Sequence, residues 1–219
     1  MKPAPVSFEQ LVELCRHGQR RHGPRDALPS GFIELDAHLP GGGWPSGAVA
    51  ELMSDAVGIG ELGLLMPALS NLARQGRYVI LIAPPYLPYP PALMQRGLPL
   101  ERVLMIRTGT LQQTLWATEQ ALRCPAVGAA LSWPACLVDR NVRRLQLAAE
   151  AGGSTGFLYR PPAAALEPSP AALRLRLHED PSGGLIVDIQ KSRGGRAGMR
   201  LRCTNSDALA VHSSAAAAA

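Results

Sequence analysis

Residues 48–62 read Ala48-Val49-Ala50-Glu51-Leu52-Met53-Ser54-Asp55-Ala56-Val57-Gly58-Ile59-Gly60-Glu61-Leu62. The stretch Ala48–Met53 has the apolar continuity of a buried strand, and Glu61–Gln75 carries the periodicity of the helix that follows it. A strand, a seven-residue glycine-bearing loop and a helix make the frame of a phosphate loop, whose signature is G-x-x-x-x-G-K-[ST]. That signature needs glycine N–H groups around the phosphate, a lysine for its charge and a hydroxyl for Mg²⁺. Here the opening glycine is Ser54, the lysine position is Glu61 and the hydroxyl position is Leu62, while Gly58 and Gly60 survive. A carboxylate repels a triphosphate and an aliphatic chain holds no metal. The frame persists with its charge inverted, which directs attention to binding surfaces. The surviving glycines are expected to serve tight strand-to-helix packing. Pro67 predicts a kink, or a helix that begins near Met66.

Outward from this loop, strand and helix alternate. Tyr78–Ala83, Val103–Arg107, Ala126–Trp133 and Ser154–Arg160 read as strands. Thr110–Arg123 and Asp139–Ala151 read as amphipathic helices, and the prolines after Pro84-Pro85 open a short helix through Arg96. This alternation predicts an α/β fold with a mostly parallel central sheet flanked by helices. Ala163–Ala172 reads as a surface loop. Leu173–His178 and Leu185–Gln190 alternate about Pro181-Ser182-Gly183-Gly184, a C-terminal antiparallel β-hairpin at the sheet edge. The expected organisation is an N-terminal helical extension over 1–27, a domain over 28–195, and a basic, then Ala-rich, flexible tail over 196–219.

Hydrophobic content of 47% and charged content of 18% over 219 residues describe a globular chain with ample core. Proline and glycine interrupt every apolar run before it reaches bilayer-spanning length. The first residues lack the apolar segment of an export signal, so a cytoplasmic location is expected. Four scattered cysteines, Cys15, Cys124, Cys136 and Cys203, form no C-x-x-C pair and read as reduced thiols, buried or incidental. The histidines show no ligand spacing, so no metal is expected. The net charge is +5 and concentrates in two places. One runs from Arg16 to Arg25. The other comprises Lys191, Arg193, Arg196, Arg200 and Arg202, a candidate contact for a partner or for DNA. Few aromatics accompany either cluster, which disfavours a base-stacking platform.

The lead-in Leu28-Pro29-Ser30-Gly31-Phe32-Ile33-Glu34-Leu35-Asp36, with Leu39-Pro40-Gly41-Gly42-Gly43-Trp44-Pro45, resembles the segment that precedes the phosphate loop in the bacterial recombinase RecA. The resemblance implies a RecA-like domain and permits three functional positions to be checked. The Walker A lysine and threonine fall on Glu61 and Leu62, the catalytic glutamate near Pro84, and the Walker B aspartate near Ser132. All three polar roles are vacant, which implies a degenerate ATPase site, no enzyme and no cofactor. Two groups keep such a sheet without ATPase residues, SulA and ImuA, and Gly60–Leu69 and Gly97–Leu104 look like both. The Leu-Pro-Gly-Gly-Gly-Trp-Pro run favours the ImuA family. That resemblance implies an accessory protein of damage-induced translesion synthesis, bridging RecA and the inactive polymerase homologue ImuB beside an error-prone polymerase. The basic C-terminal segment adds a weak DNA contact to this expectation, an oligomer is compatible with it, and no membrane is expected. The alternative is a SulA-like division inhibitor that binds FtsZ.

Overall fold

The computed structural model describes residues 27–204, together with Glu13 and Cys15 ahead of them. The chain folds as α1 (Ile33–His38), β1 (Val49–Ser54), α2 (Glu61–Arg74), β2 (Tyr78–Ile82), α3 (Pro90–Gln95), β3 (Val103–Ile106), α4 (Leu111–Arg123), β4 (Val127–Ser132), α5 (Asp139–Gly152), β5 (Thr155–Arg160), β6 (Leu173–Glu179), β7 (Leu185–Ser192) and β8 (Met199–Cys203). One eight-stranded sheet runs in the order β3-β2-β4-β5-β1-β6-β7-β8. The six strands from β3 to β6 are mutually parallel, whereas β7 and β8 run antiparallel to their neighbours. The predicted α/β class is present, and β6 and β7 pair antiparallel as expected, but β8 rather than this hairpin holds the sheet edge.

Each face of the sheet has its own core, as expected for strands apolar on both sides. On one face α1 and α2 bury Leu35, Leu64, Leu65 and Leu69 against Phe157, Leu175 and Val187. On the other, α4 and α5 bury Leu122, Val142 and Leu145 against Val49, Ile80 and Leu158. The lead-in belongs to the first core. Leu28 and Trp44 exchange backbone hydrogen bonds of 2.8 and 2.7 Å, and Trp44 is fully buried edge-on against Phe157 at 5.2 Å. Trp44 is thus a packing residue.

Three expectations change. Pro67 lies inside α2, which starts at Glu61 rather than near Met66. Its ring abuts Gly31, where a Cβ would stand 2.4 Å from the proline Cβ, so packing there offsets the lost helical N–H. Met199–Cys203, assigned to the tail, is a strand whose Leu201 and Cys203 join the core; its five-residue Met-Arg-Leu-Arg-Cys alternation was masked by flanking glycine and charge. Residues 163–172 are more than a surface loop, since Ala164, Ala171 and Ala172 are buried. The predicted helix over Ser7–Arg21 and the distal tail lie outside the described residues, Glu13 and Cys15 excepted. Among the described residues, no helix is long and apolar enough to cross a membrane.

Candidate functional site

The carboxyl ends of parallel strands are where open α/β sheets bind ligands. At that end the loop after β1 turns into α2 through two glycines with positive φ, Gly58 at 92° and Gly60 at 109°. These conformations aim N–H groups inward, as an anion cradle requires. The cradle is filled from within. The Glu61 carboxylate folds back and accepts from the Gly58 N–H at 2.8 and 3.1 Å, and from the Gly60 N–H at 3.1 Å. Glu61 is only 6% exposed. It also places its negative charge in the first turn of α2, where the helix dipole favours it. The side chain at the lysine position therefore does the work of the phosphate. Leu62, at the hydroxyl position, packs against the α1–α2 core. Ser54 turns its hydroxyl to the Ala56 carbonyl at 2.9 Å, a local turn contact.

The other two positions marked by the resemblance, Ser132 and Pro84, lie at the ends of β4 and β2. Ser132 is buried and shares a 2.8 Å hydrogen bond with Thr118 of α4, so it faces the sheet side opposite α2. The side chain at the end of β4 that joins the α2 side is Trp133, stacked on Tyr159 with centroids 4.4 Å apart. Burial, followed by the charge of Glu61, keeps the Tyr159 phenol protonated well above its ordinary range. Pro84 follows Ala83, which holds a left-handed φ of 53°. That turn sends the next residues outward, leaving Tyr86, Leu87 and Tyr89 respectively 74, 61 and 70% exposed. Val57, Val138 and Leu166 are exposed from other loops at the same end of the sheet. The rim presents apolar side chains where a nucleotide enzyme presents polar ones.

The basic segment is brought onto β7, β8 and their turn, but not as a row of free cations. Arg200 grips Asp188 at 2.6 and 2.8 Å, and Arg202 binds Asp180. Lys191 donates to the Ser169 carbonyl at 2.6 Å and Arg193 to that of Pro170 at 3.1 Å, fastening the β5–β6 connection. Arg196 lines a cavity beside the end of α1 that His38 also lines.

A buried ion network was not anticipated from the sequence. Glu51 of β1 is fully buried and receives Arg160 at 2.8 Å and Arg174 at 2.7 Å. Arg160 reaches on to Glu167 at 3.0 Å, and Arg174 to the Glu167 and Ala164 carbonyls. The signal was legible as a lone carboxylate inside an apolar strand, since such a charge is retained only when paired.

A family model described as "Cell division inhibitor SulA" matches residues 47–156, from the approach to β1 into the start of β5. The cell division inhibitor SulA of Yersinia pestis (strain Pestoides F) is 34% identical over 98 residues, covering 45% of this chain and 58% of that protein. SulA of Yersinia pseudotuberculosis serotype O:1b (strain IP 31758) matches to the same extent. This chain thus spans 58% of the length of these curated relatives. The crystal structure of SulA from Pseudomonas aeruginosa aligns with a TM-score of 0.43 at 28% identity, covering 51% of this chain and 97% of that one. On the family match, which takes in the loop, both flanking core helices and the central strands, this chain belongs to the SulA family.

Proposed function

We propose that this chain is a non-catalytic protein of the DNA-damage response that works by binding other proteins on a RecA-like scaffold. The observation that carries the reading is the Glu61 carboxylate seated on the Gly58 and Gly60 N–H groups. A phosphate offered to that cradle would have to displace a buried, charge-assisted contact and then meet a negative charge. The exposed apolar rim at the carboxyl end of the sheet supplies the contact surface instead. We assign the domain to residues 28–203, with 1–27 as an N-terminal extension, and place the protein in the cytoplasm.

Two finer readings share this core. The names of the matched relatives, cell division inhibitors, support a division inhibitor, whose partner we take to be FtsZ, and the family match supports this reading more directly than the other. The second is an ImuA-type accessory protein of translesion synthesis, contacting ImuB, RecA and an error-prone polymerase. It is favoured by what lies outside the matched residues: the Leu28–Trp44 lead-in packs into the core, and β6, β7 and β8 extend the same sheet. Weak DNA binding through the β7–β8 segment accompanies this reading, although Arg200 and Arg202 are already paired.

The test immobilises the full chain and presents purified FtsZ, ImuB and RecA separately. Retention of FtsZ selects the division inhibitor, and retention of ImuB or RecA selects the translesion accessory. Turnover of Mg-ATP that disappears on substitution of Glu61 would overturn the proposal.

A further inference from the structure

We propose that Cys15 and Cys124 form an oxidisable thiol pair whose disulfide ties Cys15 to the end of α4. The two residues are distant in sequence but share one acceptor. The Cys15 thiol donates to the Gln120 carbonyl at 3.7 Å, and the Cys124 backbone N–H reaches the same oxygen at 3.1 Å. Cys15, itself partly buried, packs against the apolar cluster that contains the buried Cys124. Each thiol is also the largest influence on the other's hold on its proton.

The surroundings make the pair asymmetric. Arg77 hydrogen-bonds the Val127 carbonyl through one guanidinium nitrogen, while its Nε is buried without a partner among the described residues. That cation favours the charged form of the Cys124 sulfur, as does the nearby backbone of Ala126 and Val127. The Cys15 S–H is the largest influence, and together these outweigh burial to draw Cys124 down to about 7. The same contact, with burial, pushes the Cys15 thiol up. One sulfur is thus available as thiolate at neutral pH while the other keeps its proton.

The oxidant is hydrogen peroxide. The Cys124 thiolate attacks one peroxide oxygen; an S–O bond forms, the O–O bond breaks, and the departing hydroxide takes a solvent proton to become water. The resulting sulfenic acid is attacked by the Cys15 sulfur. The S–S bond forms, the S–O bond breaks, and the hydroxyl leaves as a second water with the Cys15 proton. Two thiols are oxidised by two electrons and one peroxide is reduced to two waters.

The test treats the full-length reduced protein with hydrogen peroxide at neutral pH, followed by unreduced digestion and mass spectrometry. The expected main product is a cross-linked peptide pair holding Cys15 and Cys124, lighter by two hydrogens, formed several-fold faster in folded protein than in urea. In Cys15→Ser, a change at a partly exposed site that avoids opening the core, the cross-link is lost and Cys124 accumulates as sulfenic acid captured by dimedone. Cys136→Ser leaves the cross-link intact. Absence of the pair in the parent protein, a dominant pairing through Cys136 or Cys203, or equal rates in urea would overturn the proposal.

Discussion

Replacing Glu61 by alanine should both loosen the fold and open an anion site. The carboxylate accepts three contacts from two backbone N–H groups. Each N–H stranded by its removal costs about 1–3 kcal/mol. The lower value applies, because Gly58 and Gly60 lie on an exposed loop where water can take over as acceptor. Loss of a negative charge from the first turn of α2 adds about 0.3–1 kcal/mol. The sum is about 2–3 kcal/mol, and at about 2–4 °C per kcal/mol for a domain of this size the melting temperature should fall by about 5–10 °C. Glu61→Gln keeps one acceptor oxygen and should lie between alanine and the parent. Millimolar sulfate should then recover part of the loss in Glu61→Ala and change the parent little, since only the variant has vacant N–H groups at a helix N-terminus. Thermal melts of the three proteins with and without sulfate decide the matter. An alanine variant that melts with the parent, or a parent that responds to sulfate as strongly as the variant, would refute the view that Glu61 occupies the cradle.

Two further outcomes follow from charged pairs away from the loop. Glu51→Gln leaves two buried arginines short of their shared carboxylate and should cost about 3–5 kcal/mol, read as a lower urea midpoint at unchanged slope. Hydrogen bonds from Arg200, then from His178, hold the Asp188 carboxyl below its ordinary range. Such a depressed group contributes stability above its unfolded value of about 3.9, and that contribution is lost as pH falls through the folded value. Arg200→Ala should therefore be slightly less stable than the parent at pH 7, the effect being small because the arginine is largely exposed, and the gap should close in urea titrations as pH falls through the folded value of Asp188.

The order of strands and helices was legible because each element carries an apolar run bounded by glycine or proline. The failures share a cause, which is that tertiary partners overrode local signals. Pro67 reads as a breaker until Gly31 is seen to receive its ring. Met199–Cys203 is too short to announce itself, and becomes a strand because β7 offers a free edge. In the site, the charge inversion at Glu61 was plain in the sequence, yet its consequence was not. A carboxylate that points outward and one that folds back onto its own loop read identically. Only the positive φ at Gly58 and Gly60 brings the N–H groups around the side chain. At the end of β4 the sequence also could not show which face each side chain takes: Ser132 faces α4, and Trp133 joins the α2 side.

Glu51 shows that the sheet extension is integral to the core rather than an appendage. The carboxylate lies in β1, within the residues that match the SulA family. Both of its arginine partners lie beyond them, Arg160 at the end of β5 and Arg174 in β6. A chain holding only the matched segment would leave this carboxylate without either cation, and keeping it buried would cost several kcal/mol. The register places the three side chains together: Glu51 pairs with Leu158 on one side and with Arg174 on the other. Arg174 also binds the carbonyls of Ala164 and Glu167, which closes the β5–β6 connection over the network. The position of β6 is therefore set from within β1, and β7 and β8 follow from β6. The extra strands thus form one packed unit with the family core, so a partner surface on this chain can draw on both.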